Sequence, residues 1–89
     1  KDVQNINVKL YPNPNNGSFY IKGSIKNPPT QNISFSIRDI VGKTLYEGEI
    51  PVDDNNFYHE IDIKDLNPGV YLLHIKNEDE EHYLKWVKE

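Results

Sequence analysis

Residues that force the chain to turn recur at short, regular intervals, and this punctuation limits the fold more than any other feature of the sequence. The clusters are Pro12 to Gly17, Asn27-Pro28-Pro29, Val41-Gly42, Asp53 to Asn56, Asn67-Pro68-Gly69 and Asn77 to Glu80. Proline fixes φ and lacks an N–H, and Gly, Asn and Asp tolerate the left-handed conformations that tight turns require. The runs between them are too short for ordinary helices and are rich in β-branched and aromatic residues, so they read as strands.

Inside the runs the period is two. Phe19, Ile21, Gly23 and Ile25 alternate with Tyr20, Lys22 and Ser24, and Ile33, Phe35 and Ile37 alternate with Ser34, Ser36 and Arg38, which gives each strand one apolar and one wet face. Ile6 to Tyr11 opens the series. Thr44 to Ile50, Phe57 to Ile63, Val70 to Ile75 and Glu81 to Val87 complete it. Val70 to Ile75 is apolar at nearly every position, which predicts a strand in mid-sheet covered on both faces or by a neighbouring loop. In the last run, His82, Leu84 and Trp86 share one face and Tyr83, Lys85 and Val87 the other. The pattern predicts an all-β fold: one seven-stranded, immunoglobulin-like antiparallel β-sandwich over residues 6–89, with residues 1–5 as a linker remnant.

A chain of 89 residues buries only about 60 to 65% of its unfolded surface, enough for one modest core and too little for a large internal cavity. No cysteine is present, which removes disulfides, thiolate metal sites and thiol catalysis. Net charge is −4, and residues 1–46 carry six basic and two acidic side chains against four and twelve in residues 47–89. Without a basic stripe, nucleic acid and anionic membrane are poor partners. No apolar run approaches the length of a membrane-spanning helix, and the first residues hold no secretion-signal core.

The three histidines, His59, His74 and His82, each fall within a strand rather than beside a Ser or Cys nucleophile. Neither the G-x-S-x-G, H-E-x-x-H nor P-loop pattern occurs. The acidic stretches Val52 to Asn56 and Glu78 to Glu81 read as solvated hairpin loops, with weak calcium binding the lesser alternative because neither has a full EF-hand loop. Asn16-Gly17-Ser18 and Asn32-Ile33-Ser34 fit the glycosylation pattern, a short motif that carries little weight on its own. The ten aromatics fall mostly at core-facing positions and read as packing rather than as a sugar-binding face.

Three turn motifs add detail. Pro12 and Pro14 push Tyr11 and Asn13 toward extended geometry, and Asn15-Asn16-Gly17 finishes a rigid corner. Asp39 is placed to cap backbone N–H groups two residues on, with Gly42 in a left-handed conformation. Asn67-Pro68-Gly69 is a tight turn with Pro in second position.

In order and spacing these motifs resemble one family. Tyr11-Pro12-Asn13-Pro14-Asn15-Asn16-Gly17, then Ile37 to Lys43, then Leu66-Asn67-Pro68-Gly69-Val70-Tyr71-Leu72-Leu73-His74-Ile75, and a basic, apolar ending at Tyr83 to Lys88, are similar to the C-terminal sorting domain of type IX secretion systems of Bacteroidetes. Trp86 stands where that family commonly carries an aliphatic residue. The resemblance implies a non-enzymatic signal at the end of a larger cargo that passes through the periplasm to the cell surface or the medium. Its implied partners are the type IX translocon, an outer-membrane shuttle protein and a sortase-like signal peptidase, with no cofactor and no small-molecule substrate.

On that view Lys85, Trp86, Val87 and Lys88 carry recognition. Lys85 and Lys88 are expected to be exposed around an aromatic that a receptor pockets, or on an edge strand it captures by strand addition. Tyr11, Pro12, Asn13, Pro14, Gly17, Asp39, Gly42, Pro68, Gly69 and Tyr71 hold the fold that presents them. An open sheet edge also offers a route to weak dimerisation. The alternative is an immunoglobulin-like adhesion or carbohydrate-binding module, which requires an exposed aromatic platform; an inert spacer requires neither.

Overall fold

A computed structural model of the chain describes residues 6–26, 32–78 and 80–89. The expected linker at 1–5, the turn at Asn27-Pro28-Pro29 and Asp79 lie outside the described residues. Seven strands follow in order: β1 (Ile6–Tyr11), β2 (Ser18–Ile25), β3 (Ile33–Arg38), β4 (Thr44–Ile50), β5 (Asn56–Asp62), β6 (Gly69–Asn77) and β7 (Glu80–Lys88). They match the runs read from the period-two pattern, with ends displaced by one or two residues. Among the described residues there is no helix.

The strands form a three-stranded sheet, β1-β2-β5, and a four-stranded sheet, β4-β3-β6-β7, with all pairs antiparallel. The two pack face to face as an immunoglobulin-like sandwich. The core lies where the apolar faces meet: Phe19, Ile21, Ile37, Leu73, Ile75 and Trp86 are among the side chains closed off from solvent. Gly23 occupies an inward position on β2. A Cβ there would lie 2.1 Å from the Asn7 carbonyl oxygen and 2.5 Å from the Phe57 ring, so the aromatic ring takes the space a larger residue would fill.

β6 is central in its sheet, as its apolar run predicts. It is covered on one face only in part, because Tyr71, Leu73 and Ile75 enter the core while Val70 is exposed and Leu72 half-buried. The outward His74 is nevertheless buried, under a polar network. Arg38 donates from Nε to Ser36 Oγ at 3.0 Å and from its terminal nitrogen to His74 Nδ1 at 3.3 Å. Nδ1 therefore accepts, and Nε2 carries the proton that goes to Glu81 Oε1 at 2.7 Å. Tyr83 stacks on the same imidazole at 4.6 Å. The network ties β3, β6 and β7 together on their outer face.

The outer face of the three-stranded sheet carries a different arrangement. Tyr11 lies opposite Tyr20 with ring centroids 5.5 Å apart, and Tyr20 stacks on Tyr58 at 5.6 Å. Assigning the aromatics to packing holds for Phe19, Phe35, Phe57, Tyr71 and Trp86, which are buried, and fails for Tyr11, Tyr46, Tyr58 and Tyr83, which are exposed. Cross-strand aromatic pairs of this kind stabilise a sheet from its wet side.

Candidate functional site: the C-terminal strand and its clasp

β7 is an edge strand whose one ladder partner is β6, with Val87 opposite Val70 and Lys88 opposite Gly69. Its other side is closed at the C-terminal end by the corner between β1 and β2. Val87 N–H donates to the Asn13 side-chain oxygen at 3.0 Å. Asn15 N–H donates to the Val87 carbonyl at 3.0 Å, and Glu89 N–H to the Asn15 carbonyl at 2.7 Å. Asn15 and Lys88 thus form a short parallel bridge. The corner is a clasp on the end of the chain.

The clasp is itself held rigid. Asn15 is buried, its side-chain amide donating to the Pro12 carbonyl at 2.9 Å and its side-chain oxygen accepting from Gly17 N–H at 2.8 Å. Gly17 has φ 104° and passes so close to the β5 exit that a Cβ would lie 2.8 Å from Lys64 Cα. Its carbonyl accepts from Ile63 N–H at 2.8 Å. The peptide bonds before Pro12 and Pro14 are both cis. Asn13 and Asn15, read from sequence only as turn formers, are the residues that reach the tail.

Of the four expected recognition residues, the structure separates two from two. Lys85 is exposed and Val87 half-buried. Trp86 is 0% exposed, packed on Phe19 at 4.6 Å and Tyr71 at 5.2 Å. Lys88, expected at the surface, is 8% exposed, its ammonium 3.5 Å from the Glu89 main-chain oxygen. Both corrections have one cause: β7 alternates, so residues 84, 86 and 88 share the inward face. A receptor that meets the folded domain cannot pocket Trp86.

The other expected residues lie at turns. Asp39 Oδ1 accepts from Val41 N–H at 3.1 Å and Lys43 N–H at 2.9 Å, and Gly42 has φ 96°. The tip they shape leaves Ile40 and Val41 largely exposed. Tyr71 is buried and its hydroxyl donates to the Asn67 carbonyl, which fastens the Asn67-Pro68-Gly69 turn where β6 begins.

All three histidines lie within strands, as expected, and across strands Ser36 Oγ is 3.5 Å from His74 Nδ1. That hydroxyl accepts from Arg38 and belongs to a residue only 5% exposed, so it braces the sheet rather than facing a substrate. Among the described residues no three His, Asp or Glu side chains come together as metal ligands.

Comparison with known proteins places the chain. No curated protein matches it. A thermostable endoglucanase from Alicyclobacillus acidocaldarius, solved as its D468A single mutant, is similar in fold, with a TM-score of 0.54 and 18% identity. The likeness covers 86% of this chain and 13% of that one, so this chain spans a small part of the enzyme's length. A family of sorting signals rather than of enzymes matches almost every residue. Residues 9–89 match the secretion system C-terminal sorting domain, and the chain belongs to that family.

Proposed function

We propose that this domain is the C-terminal export signal of a larger cargo, read by the type IX translocon and an outer-membrane shuttle protein and then removed by a sortase-like peptidase. The cargo crosses to the periplasm on its own N-terminal signal and leaves for the cell surface or the medium. Family membership supports export by this route. The observation that carries the finer reading is the clasp, because it makes the end of β7 a defined surface. Lys85 and Val87 are the groups a receptor touches; Trp86 and Lys88 hold the strand at the right height.

The test is export of a reporter with a periplasmic signal at its N-terminus and residues 1–89 at its C-terminus, beside a twin that lacks Lys85 to Glu89. The full fusion is expected at the surface or in the medium and the twin in the periplasm. Equal export of both overturns the reading.

A second reading, an adhesion or carbohydrate-binding module, draws on the Tyr11–Tyr20–Tyr58 row. It requires the isolated domain to be retained on a neutral polysaccharide and released by Tyr58→Ala.

A further inference from the structure

A groove of about 800 Å³ runs along the outer edge of β1, between the two sheets. Asn7 through Tyr11 line it residue by residue, and Leu84 and Lys85 of β7 form the opposite wall. β1 is the edge of its sheet and β7 the edge of the other, and no ladder joins them. The clasp engages the end of β7, through hydrogen bonds at Val87 and at Glu89 just beyond it that flank Lys88. The groove is thus walled by two strand edges, each carrying a row of main-chain donors and acceptors without a neighbouring strand among the described residues.

Its side chains are of two kinds. Val8, Leu10 and Leu84 are apolar and partly buried against the core. Lys9, Lys22 and Lys85 are exposed cations, and among the described residues no carboxylate lines the groove. That is unusual in a chain with 14 acidic and 10 basic residues. A lysine on each edge strand is accounted for as protection against edge-to-edge pairing. Lys22 is not: it sits on β2 directly opposite Lys9, a like-charge pair that weakens the sheet.

We propose that this groove receives an extended peptide segment of a partner protein, one that alternates apolar and acidic residues, as an additional strand on β1. The apolar side chains of such a segment enter the floor at Val8, Leu10 and Leu84. Its carboxylates, pointing the other way by the two-residue period, meet Lys9 and Lys22. The added strand pairs the free main-chain groups of β1 and fills the space between the sheets. A nucleic acid gains the lysines but leaves the apolar floor and the strand edge unused. The proposal shares Lys85 with the export reading and is tested apart from it, since it concerns what the isolated domain binds.

The experiment uses residues 1–89 and a labelled peptide of alternating valine and glutamate, matched to β1 in length. Three comparison peptides are a valine and lysine alternation, the valine and glutamate peptide with every second amide N-methylated, and a second copy of the domain's own Asn77 to Glu81 segment. Binding is followed by fluorescence anisotropy and amide hydrogen exchange. The expected result is binding of the valine and glutamate peptide with new protection at Asn7 to Tyr11, weakened by salt, and weakened about tenfold in Lys9→Gln/Lys22→Gln. That double variant removes a repulsion between two exposed side chains and is expected to keep the fold. The N-methylated and lysine peptides are expected not to bind. Equal binding of the lysine or the N-methylated peptide, protection on another edge, or an unchanged double variant overturns the proposal. Preferential capture of the Asn77 to Glu81 segment also overturns it, by making the groove a self-association surface.

Discussion

The side-chain oxygen of Asn13 accepts a hydrogen bond from the main-chain N–H of Val87 at 3.0 Å, across 74 residues of sequence. This contact makes the corner between β1 and β2 and the last strand one structural unit. Replacing Asn13 by Ala removes the acceptor and leaves the Val87 N–H to water. The expected cost is about 0.5 to 1.5 kcal/mol, and Asn13→Asp, which keeps an acceptor, is expected to restore most of it. Amide exchange at Val87, expected to accelerate in the Ala variant, checks this directly.

Gly17→Ala tests the other half of the clasp. Alanine at φ 104° is strained, and its Cβ would press on the Lys64 backbone at 2.8 Å. The expected loss is about 1 to 3 kcal/mol from the backbone conformation alone, with the clash in addition. Thermal unfolding measures it; Gly42→Ala, whose Cβ meets no neighbour within 4 Å, is expected to lose less.

Trp86 is the largest fully buried side chain, and its indole N–H has no hydrogen-bond partner among the described residues. Trp86→Ala is expected to cost about 3 to 5 kcal/mol, a large share of the roughly 5 to 15 kcal/mol a small domain holds. Trp86→Phe loses area but also removes an unpaired buried donor, and is expected to cost less than the alanine variant. Denaturant midpoints of the two rank them. Loss of export in Trp86→Ala therefore reports loss of fold, whereas Trp86→Phe is expected to be exported.

The Tyr58 phenol is pushed above its ordinary value, first by desolvation among its neighbours and then by the negative charge Tyr20, Tyr11 and Glu60 place around it. A group with a raised folded value binds its proton more tightly when folded. The stability this contributes is complete below the ordinary phenol value of about 10 and is lost as pH rises through the raised one. Stability is thus expected to fall with alkaline pH, and to fall less in Tyr58→Phe. Denaturant unfolding at about pH 9 and about pH 11 checks the sign.

Strand positions were legible because period two survives in nearly every run: β1 is found over Ile6–Tyr11 and β3 over Ile33–Arg38, as the alternation predicts. The inward turn of Trp86 and Lys88 was present in the same alternation, since both share parity with His82 and Leu84. The basic flanks predict exposure, whereas parity predicts burial, and parity decides. The clasp was not legible, because nothing local in Asn13 or Asn15 specifies a partner so distant in sequence. The tyrosine row was half legible: parity puts Tyr20 and Tyr58 on wet faces, but only the register of β1, β2 and β5 brings them together with Tyr11. Likewise, Ser36 meets His74 through the pairing of β3 with β6.

The central claim is that the export machinery reads the surface of a folded, clasped strand. Lys85 is exposed on that strand, so Lys85→Glu reverses a charge without entering the core and is expected to leave circular dichroism and the unfolding midpoint close to those of the parent. The measurement is the exported fraction of a reporter that carries this variant. The account predicts a clear fall in export with the fold intact; export equal to the parent's would contradict it.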